Sequence, residues 1–251
     1  MAVESFADWL ETPQGRYALA WEQAKTDLLA ADIFGFNAVQ IGFPQIDFLR
    51  ANRMPFRFTC CETGECTTRA DPHHLPFATN SVDLVVLPHI LEFDMHPHQI
   101  LREVDRVLVP GGQVVVSGFN TLSLWGARQL LGRVGGGWYL PQHGEFLAPR
   151  RVRDWLRLLS FEVTQGRFGC YRPALCSGRW LQRWGFMDAA GDRWWPVFGA
   201  VYFLAAIKRV PAMRLVGRVR LRAGSRATAL RPVAQRAIVS SSPPHDHNHR
   251  P

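Results

Sequence analysis

Several places in the chain bring together residue types that can do chemistry. His89 closes the run Ser81-Val82-Asp83-Leu84-Val85-Val86-Leu87-Pro88 and carries an imidazole whose ordinary pKa lies near neutrality. Asp71 opens Asp71-Pro72-His73-His74, a carboxylate able to accept a hydrogen bond from an amino group. Gly42 ends Asn37-Ala38-Val39-Gln40-Ile41, where a residue without a Cβ lets backbone approach a ligand closely. Asn120 follows the apolar run 113–117, and His143 stands in Pro141-Gln142-His143-Gly144. Five cysteines, Cys60, Cys61, Cys66, Cys170 and Cys176, form no CxxC pair and no cluster at zinc-site spacing. Structural or incidental thiols in a reducing compartment are expected, and no metal site.

These residues need elements to position them. Continuous apolar runs at 37–42, 81–87, 113–117 and 200–206 read as buried strands, and 161–164 as another. Residues 97–109 predict an amphipathic helix. Pro97 stands in its first turn, Ile100, Leu101, Val104, Val107 and Leu108 lie on one stripe, and Pro110-Gly111-Gly112 stops it. Strand, helix, strand is a right-handed crossover between parallel neighbours, which places the core in the doubly wound α/β class. Residues 4–31 have helical periodicity interrupted at Pro13-Gln14-Gly15. A further helix is predicted over 147–159, a loop rich in Trp and Arg over 170–196, and a closing antiparallel hairpin. The division expected is a helical cap at 1–34, an α/β domain at 35–210, and a basic, disordered tail at 211–251.

The net charge of +8 is concentrated in that tail, which holds eight arginines and one acid. The body is nearly neutral, so the high pI describes the tail rather than a nucleic-acid-binding face. The longest apolar stretch, 197–207, falls short of the about 20 residues that a membrane span needs. No leader sequence is read at the N-terminus, and a soluble, cytoplasmic protein with no membrane partner is expected.

Three blocks in order resemble one family. They are Ala70-Asp71-Pro72-His73-His74-Leu75-Pro76-Phe77 followed by Ser81-Val82-Asp83-Leu84-Val85, then His89-Ile90-Leu91-Glu92-Phe93, then Leu101-Arg102-Glu103-Val104-Asp105-Arg106-Val107-Leu108-Val109-Pro110-Gly111-Gly112. Together they resemble the class I S-adenosylmethionine-dependent methyltransferases, specifically the methyltransferase type 11 group. The resemblance implies a Rossmann-like, mostly parallel sheet ending in an antiparallel hairpin, with S-adenosylmethionine as cofactor. It places Gln40, Gly42, Glu62, Asp71, Pro72, His73 and Leu87 at the cofactor, His89 as base or substrate contact, and Asn120 and His143 at the acceptor. The acceptor expected is a small molecule.

The first glycine motif departs from the family pattern. Gln40 replaces the usual acid, and Pro44 and Gln45 stand where glycines are usual. Only nine positions separate Glu62, the match for the ribose acid, from Asp71, which leaves little room for a helix. Two other readings follow: a methyltransferase fold serving as a non-catalytic binding module, and a nucleic-acid methyltransferase with the basic tail as tether to RNA. For Asn120, capping the following helix stands beside the acceptor role. The tryptophans at 180, 184, 194 and 195 are read as a lid or as packing within a large loop.

Overall fold

A computed structural model of the chain describes residues 6–135, 139–141 and 145–209. The predicted tail at 211–251 and His143 lie outside the described residues. Seven strands form one sheet in the order β3-β2-β1-β4-β5-β7-β6. They are β1 (Asn37–Ile41), β2 (Phe56–Cys61), β3 (Thr68–Arg69), β4 (Val82–Pro88), β5 (Leu108–Phe119), β6 (Phe161–Gly169) and β7 (Val201–Lys208). Strands β3, β2, β1, β4 and β5 pair in parallel, and β7 runs antiparallel to both β5 and β6. No described helix is long and apolar enough to cross a membrane.

The crossover read from the middle of the chain is present. Helix α4 (Pro97–Val107) joins β4 to β5, with Pro97 in its first turn. Ile100, Leu101, Val104 and Val107 are fully buried against the sheet. Burial of side chains of this size stabilises by about 1.5–3 kcal/mol each. The helix also fixes the connection before β4. Glu103 pairs with Arg106 and accepts the Leu75 amide, while Arg106 donates to the carbonyls of Leu75 and Phe77. Helix α6 (Pro149–Leu158) packs beside α4 on the same face through Val152 and Leu156.

The opposite face is covered differently. Helices α1 (Phe6–Leu10) and α2 (Pro13–Ala30) meet at Thr12, whose hydroxyl accepts the Gly15 amide. The break read at Pro13-Gln14-Gly15 is present, and these residues form the first turn of the second helix. Of the described residues 42–55 none is helical, and Ile46, Phe48, Leu49 and Met54 from this connection fill the space under β1 and β4. The connection 62–67 is shorter still and is closed by a disulfide between Cys61 and Cys66. The expected free thiols at these two positions are corrected accordingly. Cys60 and Cys170 are free and buried.

The insertion before β7 also differs from the sequence reading. Instead of loop, it holds α7 (Gly178–Arg183), α8 (Phe186–Trp194) and a 3-10 turn at Pro196–Phe198. Helix α5 (Leu124–Gly135) follows β5. Ser123 bonds the Gly126 amide and the Asn120 carbonyl, which starts that helix.

Candidate functional site

From β1 the chain moves outward to β2 and β3, then returns to β4 on the other side of β1. The strand order reverses between β1 and β4, and open α/β sheets bind ligands in the crevice outside the carboxyl ends at that point. A cleft of about 340 Å³ opens there. A larger groove, about 680 Å³, lies on the sheet face between α2 and α8. Its floor of Gln113, Gln165 and Phe203 is away from the strand ends where the sequence places its chemistry.

The turn after β1 forms one wall. Gly42 has φ +87°, its amide donates to the Cys60 carbonyl at 2.8 Å, and a Cβ there would come within 3.1 Å of Ile90 Cδ1. Phe43 follows with φ +45°. Gln40, fully buried, holds this turn from below. Its Nε2 is shared by the carbonyls of Ile46 at 2.7 Å, Phe43 at 3.1 Å and Gly42 at 3.2 Å, and its Oε1 accepts the Phe48 amide. Gln40 thus shapes the turn and does not face the cleft, contrary to its expected contact with cofactor.

Aromatic rings make the apolar wall. Phe6 of α1 lies 4.3 Å from Phe43 and 5.3 Å from Phe93 between ring centroids. Cys61 and Glu62 stand at the end of β2, Pro72 after β3, and Ile90 and Asp94 after β4, all lining the cleft. Asp94 accepts the His96 amide at 2.6 Å and faces His73 Nε2 at 3.0 Å. His73 Nδ1 in turn faces Asp71 at 2.7 Å, and His74 faces the other Asp71 oxygen. Burial pulls the His73 imidazole down, but hydrogen bonds to Asp71 and Asp94 outweigh it and raise its pKa. The backbone amide of His73, then the side chains of His74 and His73, hold the Asp71 carboxyl down at about 2.

His89 sits elsewhere. It is 1% exposed, at φ +51°, and caps the short helix α3 (Ile90–Phe93). Its Nε2 faces Glu22 Oε1 at 2.7 Å and its Nδ1 faces Glu92 Oε2 at 2.8 Å. Glu92 also accepts the Phe119 amide at 2.6 Å. Burial alone would lower the His89 pKa, yet the charge and hydrogen bond of Glu22 and the hydrogen bond of Glu92 raise it to about 10. Burial pushes the Glu92 carboxyl up to about 7. His89 is therefore a buried imidazolium bridging α2 to the ends of β4 and β5, and both ring nitrogens are taken. The expected role as base or substrate contact is corrected on that ground.

Of the sequence candidates, the structure brings Gly42, Glu62 and Pro72 to the cleft, with His73 and Asp71 behind Asp94. Leu87 is fully buried in the core beside Val85 and Val116. Asn120 is buried too. Its Nδ2 donates to the carbonyls of Val197 and Gly199, and its Oδ1 accepts the Leu122 amide, so it pins the insertion rather than an acceptor. Sequence reading missed Phe6, Phe43, Phe93 and Asp94 at the cleft, and Glu22 and Glu92 beneath it. Glu92 had a signal, standing three residues after His89 on one helix face. Glu22 had none beyond being an acid on a predicted helix. Among the described residues, no cluster of His, Cys, Asp and Glu could hold a metal ion.

Residues 38–116, which span β1 through β5, match the family described as methyltransferase domain. The matched segment covers less than half of the chain. The chain is 45% identical over 95 residues to the uncharacterized protein YafS of Escherichia coli, covering 38% of this chain and 39% of the relative. The match thus spans about two fifths of that relative's length. Solved structures agree on the fold. One chain of the Haloferax volcanii complex between the Trm112 methyltransferase activator and a methyltransferase superposes with TM-score 0.56 at 17% identity, covering 82% of this chain and 97% of that one. A SAM-dependent methyltransferase from Archaeoglobus fulgidus gives TM-score 0.54 at 14% identity, covering 76% and 94%. The chain has the Rossmann-like, mostly parallel sheet of those proteins, ending in an antiparallel hairpin.

Proposed function

We propose that the cleft binds S-adenosylmethionine and that the chain transfers its methyl group to a small-molecule acceptor. Charge at the cleft carries this reading. Among the described lining residues the charged side chains are two carboxylates, Glu62 and Asp94, set beside the rings of Phe6, Phe43 and Phe93. Carboxylates and π-faces together favour a compact cation over an anion. The volume lies at the lower end of the about 300–1,000 Å³ found for small-molecule sites.

The cofactor brings an already activated methyl group, so the protein mainly supplies proximity and orientation. Glu62, exposed at the end of β2, would accept from ligand hydroxyl groups. The Gly42 turn, Cys61 and Pro72 would flank the ligand. Asp94, held by His73, is the lining carboxylate that can both face positive charge and accept a proton from an acceptor. Calorimetry with S-adenosylmethionine and with its demethylated product tests the reading. Binding of both is expected, and absence of heat at about millimolar ligand, equivalent to about 4 kcal/mol or less of affinity, overturns it.

A second reading keeps the binding and drops the chemistry. It is favoured by the turn after β1, where Pro44 lacks an amide donor and Gln40 occupies the inner carbonyls. Methyl-labelled cofactor incubated with the protein and a small-molecule extract separates the two. Label appearing in any extract component removes the non-catalytic reading.

A further inference from the structure

The insertion between β6 and β7 uses some of its groups to hold α5 and turns the others outward. Trp125 Nε1 of α5 donates to the Arg172 carbonyl at 2.8 Å, and Asn120 at the start of α5 bonds the Val197 and Gly199 carbonyls at 2.8 and 2.9 Å. These bonds tie the first turn of α5 to the insertion. Both leave the sheet at the same edge, since Phe119 of β5 and Gly169 of β6 each register with Val201. The outward side chains are large and apolar. Trp180 is 52% exposed, Phe186 63%, Trp194 73% and Phe198 55%, and Leu130 and Leu131 of α5 are 65% and 73%. Single exposed apolar side chains are ordinary, but so many from one insertion and its neighbouring helix mark an interaction surface.

Among the exposed charges of α7 and α8, three arginines stand against one acid, Asp192. Arg179, Arg183 and Arg193 are exposed. Asp188 accepts from Tyr17 and pairs with Arg172, while Asp192 lines the groove against α2 beside Trp21 and Lys25. Tryptophan and arginine are the side chains suited to the headgroup level of a bilayer, where an amphipathic ring or a long stem sits with its polar end in water. We infer that this face docks peripherally on an anionic lipid surface. The aliphatic members, Leu130 and Leu131, suit a bilayer and offer an RNA base nothing to stack on. A second copy of the chain would bring like charges together. The eight arginines in the sequence after residue 210 add positive charge of the same sense. Docking does not depend on the methyl-transfer reading.

The test is co-sedimentation of the full chain with phosphatidylcholine vesicles, with and without phosphatidylglycerol, at low and high salt. Binding is expected only with the anionic lipid, weakening as salt rises. The triple variant Arg179→Gln/Arg183→Gln/Arg193→Gln should weaken partitioning roughly fivefold per arginine. Trp180→Ser/Trp194→Ser should weaken it about tenfold or more by removing inserted apolar area. Unchanged circular dichroism and melting temperature show that each variant is folded. Should either melt early, quenching of native tryptophan fluorescence by brominated phosphatidylglycerol replaces it, with quenching expected. Failure of the parent chain to bind, equal binding to neutral vesicles, variants that bind as tightly as the parent, or no quenching each overturn the inference. Tight binding of single-stranded RNA without vesicle binding assigns the face to RNA and overturns it as well.

Discussion

Exchanging Glu22 for glutamine isolates the charge in the bridge that His89 makes. The glutamine keeps the shape and an oxygen that can accept from His89 Nε2, which now stands 2.7 Å from Glu22. A hydrogen bond to an ionised partner is worth about 1.5–3 kcal/mol and a neutral one about 0.5–1.5, so the exchange should cost roughly 1–2 kcal/mol at about pH 6. The cost should depend on pH in a definite direction. His89 is raised from 6.5 to about 10 in the fold, so its contribution is fully present below 6.5 and is lost as pH rises through about 10. Glu92, raised from 4.5 to about 7, acts in the same sense in a lower window. Removing the Glu22 charge removes the leading cause that raises His89. The variant should then lose its imidazolium at lower pH, and the gap between variant and parent should close toward about pH 10. Urea unfolding followed by tryptophan fluorescence across this range measures it. A companion, His89→Ala, leaves two buried carboxylates facing each other and should cost about 3–5 kcal/mol. A gap for Glu22→Gln that stays constant with pH, or a His89→Ala cost below about 1 kcal/mol, would refute the charged bridge.

Other perturbations address the cleft. Gly42→Ala puts a Cβ at φ +87° and 3.1 Å from Ile90 Cδ1, so a loss of about 1–2 kcal/mol in unfolding free energy and weaker ligand binding by calorimetry are expected. Asp94→Asn should weaken S-adenosylmethionine by about tenfold, the worth of one charge-assisted contact, and the demethylated product, which lacks the sulfonium charge, by much less; equal losses would remove Asp94 from the sulfonium centre. Cys66→Ser opens a loop between cysteines five positions apart, for which loop entropy gives about 2 kcal/mol of stability, read from the urea midpoint. The parent chain treated with dithiothreitol should shift to match that variant.

Much of the architecture was legible because it rests on periodicity. The α4 stripe and the runs that became β4 and β5 admit one arrangement, a parallel crossover, and the structure shows it. Legibility failed where tertiary partners decide. The sequence reading stopped α4 at Pro110-Gly111-Gly112, yet these residues lie inside β5, which pairs with β4 from Val82 and Leu108 onward through an irregular register. The insertion read as loop because its helices are short and carry aromatics outward, so no apolar stripe betrays them. At the site, Gly42, Glu62 and Pro72 follow from strand ends, whose position the sequence does reveal. His89 also follows a strand end, but whether such a side chain turns to solvent or inward depends on Glu22, 67 residues away, which no local pattern announces.

The amide of Gln40 has a consequence for how a ligand arrives. Loops that close over their guests exchange water contacts for ligand contacts as they move, and their resting shape is loose. Here the lip of the cleft is already fastened from inside the sheet through Phe43, Ile46 and Phe48, and none of the described residues 42–55 that form it is helical. Entry should therefore resemble insertion into a finished slot. The association rate would be set by encounter and by the field of Glu62 and Asp94, with little contribution from rearrangement of the lip.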